Sequence, residues 1–163
     1  VFGQGNPHAQ IVFIGEAPGQ KEDEQQTPFV GASGAFLDTL LASIDLRRED
    51  VYITNVVKFR PPDNRDPTPT EKEQCRPWLE RELDLIRPRI IVPLGRHALA
   101  HFLPDLTISE AHGRPFTIDA RTTTIFPIYH PAAALHNGSL RQTLQHDFLA
   151  LGDLLAHTPS LVA

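Results

Sequence analysis

The stretch from Ile11 to Gly31, "IVFIGEAPGQKEDEQQTPFVG", changes character at Gly15. Its first five residues are continuously apolar, as expected for a strand buried on both faces, and such strands belong to the interior of parallel sheets. The remainder mixes glycine and proline with carboxylates and amides around one aromatic side chain, Phe29. A strand that ends in so polar a loop suggests either a solvated turn or a site. Three further runs share the apolar pattern: "VYITNVV" (51–57), "RIIVPLG" (89–95) and "TTIFPIYH" (123–130).

Helical patterns separate these runs. Phe36, Leu37, Leu40, Leu41 and Ile44 recur at helix spacing. Thr68, Pro69 and Glu71 write a helix start, with a capping box and proline at the first helical position. That helix should run to Ile86, before Pro88, with Pro77 kinking or splitting it. Leu140, Leu144, Phe148, Leu151 and Leu155 mark one face of a last helix. Strands alternating with helices imply right-handed crossovers. The expected fold is a three-layer α/β/α domain over residues 1–163, with a central, mainly parallel four-stranded sheet.

Composition bounds the function. The chain has 163 residues, 40% hydrophobic and 21% charged, which suits a soluble globular protein. No apolar run approaches the roughly 20 residues of a membrane span. No signal-peptide pattern is present, and a single cysteine, Cys75, excludes an internal disulfide, as suits an intracellular protein. The absence of methionine predicts residues upstream of Val1. A formal charge of −5 disfavours a general polyanion binder, although Lys58, Arg60 and Arg65 form a small basic patch.

In parallel α/β sheets, ligands bind beyond the carboxyl ends of the strands. That rule selects "GEAPG", "NVVKFRPPDNR" and "HPAAAL"; the third strand, in "PLGRHAL", needs Gly95 for a tight turn. Gly15 and Gly19 allow close backbone approach, so the amides of Glu16 and Ala17 could face an electron-rich atom. Phe29 either caps the core or stacks on a planar ring. Asn55, inside an apolar strand, either bonds backbone or reads a ligand edge. Its paired donor and acceptor match O4 and N3–H of uracil and mismatch cytosine. His130 is fixed at the last strand end by Pro131, whereas His8, His101, His146 and His157 read as surface residues. No metal-binding spacing, nucleophile elbow or phosphate loop occurs.

Together, "GEAPGQKEDEQQTPFVGASGAFLD", "TNVVKFRPPDNRDPTPTE" and "YHPAAAL" resemble the uracil-DNA glycosylase superfamily, most closely its family 4. The resemblance implies an α/β glycosylase that flips uracil out of DNA and hydrolyses its N-glycosidic bond in base-excision repair. It implies that Glu16 and Ala17 form the first uracil-binding loop, Phe29 stacks on the base, Asn55 reads its edge and His130 binds near O2. Glu22 falls where a thymine methyl would be crowded. Asn64 falls where the hydrolytic water is handled. Relatives outside this family carry Asp at the position of Ala17, so Glu16 or Asn64 must take its part. Lys58, Arg60, Arg65 and Arg141 are candidate DNA contacts, with Leu135 and His136 the wedge that fills the vacated stack. The family's four-cysteine iron–sulfur cluster would need ligands at 59 and 75. Phe59 stands in the first place, so no cluster or other metal is expected, and apolar packing around Phe59 should replace it. The expected partner is uracil-containing DNA, with no membrane, and the expected state a monomer. The alternatives are a catalytically weak nucleic-acid-binding homologue and a nucleoside or nucleotide hydrolase.

Overall fold

The computed structural model describes residues 1–118 and 123–157. The strands are β1 (Gln4–Gly5), β2 (Ile11–Gly15), β3 (Tyr52–Asn55), β4 (Ile90–Pro93), β5 (Phe116–Ile118) and β6 (Thr123–Ile125). The helices are α1 (Gln20–Gln25), α2 (Ala32–Ala42), α3 (Pro69–Ile86), α4 (Arg96–Phe102), α5 (Ile108–Ala111) and α6 (Gly138–Ala156). Among the described residues the sheet has six strands in the order β1-β3-β2-β4-β6-β5. The four expected strands are its parallel interior, β3-β2-β4-β6. The two additions, β1 and β5, are antiparallel edges. Both are too short to show a periodic pattern, which is why the sequence predicts four strands.

Alternation along β2 builds the layers. Ile11 and Phe13 pack with Leu37, Leu40 and Leu41 of α2 and with Leu144, Phe148 and Leu151 of α6. Val12 and Ile14 turn to the opposite face, against Leu79 and Leu83 of α3 and Ala98 of α4. Both faces of the strand are thus covered, and its five residues are all buried. The register places Gly15 opposite Asn55, so the loops after β2 and β3 leave the sheet side by side.

Helix α3 begins as its sequence dictates: Thr68 Oγ1 accepts from the Glu71 N–H at 3.1 Å, and the Glu71 carboxylate accepts from the Thr68 N–H at 2.9 Å. Pro77 does not split it; the helix runs unbroken to Ile86. Pro77 lies on the exposed face, where water can satisfy the carbonyl it leaves unbonded, while Cys75, Leu79 and Leu83 anchor the buried face.

Candidate active site

The loop after β2 is tied to the one after β3 by backbone: the Val56 N–H donates to the Gly15 carbonyl at 2.9 Å and the Val57 N–H to that of Glu16 at 3.0 Å. At Gly15 a side chain is excluded. A Cβ there would lie 2.5 Å from both Asn55 Oδ1 and Phe29 Cζ. Glycine therefore lets an amide and an aromatic ring converge on one point of the backbone.

The Phe29 ring is held from several sides. Its residue is 5% exposed and has φ of 53°, a conformation costly for a non-glycine residue. The Arg48 guanidinium grips the carbonyls of Phe29 and Pro28 and pairs with Asp38. Gly34 packs so tightly on the Phe29 carbonyl that no Cβ fits. From the other side, the Glu22 carboxylate accepts from the N–H groups of Gly19 (3.1 Å), Val30 (2.9 Å) and Gly31 (2.9 Å). Glu22 thereby buckles α1 to the segment carrying Phe29.

His130 stacks beside Phe29, with centroids 5.5 Å apart and planes inclined by 22°. The Ala132 N–H donates to His130 Nδ1 at 3.1 Å. Burial pushes the imidazole down to about 4, so the ring is neutral at pH 7. A neutral ring whose Nδ1 accepts must carry its proton on Nε2, leaving one N–H to donate to a ligand. The sequence reading treats the end of β4 as a mere turn, yet Gly95 (φ 88°) gives way to His130: a Cβ there would lie 3.0 Å from His130 Cβ.

Asn55 is 5% exposed. Its backbone carbonyl accepts from Lys58 Nζ at 2.7 Å, but its side-chain amide makes no hydrogen bond among the described residues. The backbone-bonding reading of this amide is therefore unfilled, and its donor and acceptor remain for a ligand.

The basic patch is largely taken up within the chain. Lys58 does not face outward: its side chain is 12% exposed, ion-paired with Glu82, and donates to Thr54 Oγ1 at 2.6 Å. Glu82 also accepts from Tyr52 Oη at 2.6 Å. Three polar groups, Lys58, Tyr52 and Thr54, are satisfied around this one carboxylate beneath β3, so Lys58 is a core ion pair instead of a DNA contact. Arg65 forks onto Glu71 at 2.6 and 3.2 Å and, with the cap hydrogen bonds, holds that carboxyl down to about 2. Asn64, exposed with φ of 55°, accepts from Arg60 Nε at 2.7 Å. Arg141 donates to the Leu135 carbonyl at 3.0 Å and lies over the Phe36 ring, so it braces the half-buried Leu135 and the exposed His136 beside it.

What does approach Glu16 is a pair that the sequence reading omits, Asp66 and His97, whose Nε2 lies 3.5 Å from Asp66 Oδ2 and 3.9 Å from Glu16 Oε1. These residues lie 50 and 81 positions beyond Glu16 in the sequence, so no local spacing signals them. His101 is also not a surface residue; its side chain is buried and bonds Glu80 at 2.9 Å. The donor set does not fit a four-thiolate cluster. The chain has one thiol, Cys75, which is buried and accepts from the Lys58 N–H at 3.4 Å. Phe59 is 41% exposed, so apolar packing around it is not what fills this corner. Among the described residues no helix is long and apolar enough to cross a membrane.

The chain is similar to known proteins over most of its length. The profile described as "Uracil DNA glycosylase superfamily" matches residues 2–151. The chain is 51% identical to the Type-4 uracil-DNA glycosylase of Archaeoglobus fulgidus, over 94% of this chain and 81% of that protein. It is 44% identical to the Type-4 uracil-DNA glycosylase of Sulfurisphaera tokodaii, over 98% and 76% respectively. The Type-5 uracil-DNA glycosylase of Thermus thermophilus is 42% identical across 63% of this chain and 55% of its own length.

Proposed function

Because the chain belongs to the uracil-DNA glycosylase superfamily, we infer that it is a monofunctional enzyme that hydrolyses the N1–C1′ bond of deoxyuridine in DNA, leaving an abasic site for base-excision repair. The observation that carries this reading is the convergence of a stacking ring, an unengaged amide and a neutral imidazole around Gly15. Such chemistry needs the base outside the helix, stacked and read along one edge. Phe29 supplies the platform and Asn55 the edge. As the bond breaks, negative charge grows on uracil O2, where His130 Nε2–H and the loop amide of Ala17 act as preorganised donors. Glu22 excludes a thymine methyl through the loop it fastens. Glu16 and Asn64 are the side chains proposed for the water.

Arg60 and Arg65 are the proposed contacts to the DNA backbone, with Arg141 supporting the Leu135–His136 wedge. The enzyme acts as a one-domain monomer inside the cell, with the DNA. The test is release of uracil from a uracil-containing oligonucleotide set against free deoxyuridine. Excision from the oligonucleotide alone is expected. Cleavage of the free nucleoside would instead favour a nucleoside hydrolase, and tight binding without release a non-catalytic homologue.

Replacing Asn55 by Asp should strongly slow uracil excision, because an ionised carboxylate accepts hydrogen bonds but cannot donate to O4. Unchanged excision by Asn55→Ala, measured under single-turnover conditions, would remove Asn55 from the site. We further propose that the protein works without an iron–sulfur cluster. Freshly purified protein is expected to contain neither stoichiometric iron nor acid-labile sulfide, and finding both would overturn that proposal.

A further inference from the structure

Glu16, Asp66 and His97 meet beside the loop after β2, and the candidate ligand atoms of the three lie within 4.8 Å of one another. His97 stands in the first turn of α4, two residues beyond the Gly95 that packs on His130. Its side chain is 12% exposed, and its Nε2 is shielded from solvent without a hydrogen-bond partner among the described residues. Arg96 donates to Asp66 Oδ2 at 2.5 Å, so that oxygen is fixed from the other side.

The charges define what His97 can be. Burial, then Asp66, pushes the Glu16 carboxyl above its ordinary range, against the pull of Arg96 and Lys72. Burial, then Lys72 and Arg96, keeps His97 neutral, against Asp66. A neutral imidazole with Nε2 facing two carboxylates is stable as the Nε2–H tautomer, because a lone pair there would oppose two negative oxygens. The two cations facing the cluster also make it a poor cation site.

We propose that His97 and Asp66 are positioning residues for Glu16: the Nε2–H of His97, set between the two carboxylates, attracts that of Glu16 while Asp66 repels it, and together they orient Glu16 to take a proton from the water that attacks C1′. This rests on the glycosylase reading above. The water oxygen bonds to C1′ as the C1′–N1 bond breaks, and that electron pair leaves on uracil. One water proton passes to Glu16 and the other stays on the new sugar hydroxyl. Ala17 offers no carboxylate for the task, whereas Glu16 with its two partners does.

The test follows Glu16 by carboxyl ¹³C titration and single-turnover excision against pH, in wild type, His97→Ala, His97→Gln and Asp66→Asn. Loss of the donor in His97→Ala leaves two carboxylates facing each other. Glu16 should then titrate at higher pH, the acid limb of the rate should move up, and the neutral-pH rate should fall at least about tenfold, a part of what a general base supplies. His97→Gln, which keeps an N–H, should restore much of both. Asp66→Asn removes the like charge and should move the limb and the titration down. Opposite shifts are the signature that mere loosening of the fold cannot give. Unchanged titration in all variants would overturn the proposal, as would shifts of one sign in both alanine and asparagine variants. Excision abolished by a chelator and restored by Zn²⁺ would also overturn it, by making the three groups ligands. If wild-type protein releases no uracil, the activity reading falls while the Glu16 titration still decides the cluster. Should His97→Ala fail to fold, His97→Leu, which also removes the N–H but keeps bulk, takes its place in the comparison.

Discussion

His130→Ala is expected to remain folded, to bind uracil-containing DNA, and to excise uracil about 10²–10³ times more slowly, the loss typical of one oxyanion donor. The geometry behind this is the single tautomer: Nδ1 is committed to the Ala132 N–H, and Nε2 alone can donate. A donor that strengthens as charge builds on O2 acts on the transition state, so the single-turnover rate should fall far more than affinity. The pH dependence has a definite sign. His130 is held down to about 4, so it stays a neutral donor from pH 5 upward, and its own titration sets no limb of the rate near neutrality. The unfolded chain, however, protonates His130 near its ordinary value of about 6.5. Its contribution to stability is therefore present above that pH and lost as pH falls towards 4. The alanine variant should lack this acid-sensitive window. A wild-type rate at saturation would assign O2 to the loop amides and leave His130 a structural part.

Glu82→Ala should destabilise the fold by about 3–5 kcal/mol, the usual cost of leaving one partner of a buried ion pair alone. Lys58 would lose its counter-ion inside the protein, and the hydroxyls of Tyr52 and Thr54 would lose their acceptor. Small domains carry only about 5–15 kcal/mol in total, so the urea midpoint should drop markedly. A loss under about 1 kcal/mol, the range of exposed pairs, would mean that water reaches the network. Lys58→Met should leave the salt dependence of DNA binding unchanged, because that ammonium neutralises no phosphate; Arg60→Ala should reduce the slope by about one contact.

Much of the layer plan was legible because its causes are local. The unbroken apolar run of β2 requires cover on both faces, and Thr68, Pro69 and Glu71 determine a helix start within four residues. The strand-end rule led to Glu16, Phe29, Asn55 and His130, which the fold gathers around Gly15 and its loop. What escaped was whatever depends on pairing across long separations. Lys58 looks like a surface cation until Glu82, 24 residues on, is seen to face it. Asn64 was a reasonable candidate for the water, and nothing in its motif shows that its amide oxygen already accepts from Arg60. Asp66 sits unremarked inside a motif and His97 beyond a turn, and only the pairing of β3 and β4 on either side of β2 brings both to Glu16.

The two short antiparallel strands have a consequence for how the molecule behaves in a crowded solution. A parallel sheet ends in rows of free N–H and C=O groups that recruit other chains and seed aggregates. Here β1 lies along the outer side of β3 and β5 along that of β6. Each spans at most three residues and leaves little new template of its own. Self-association by strand addition is thereby blunted at both margins of the sheet.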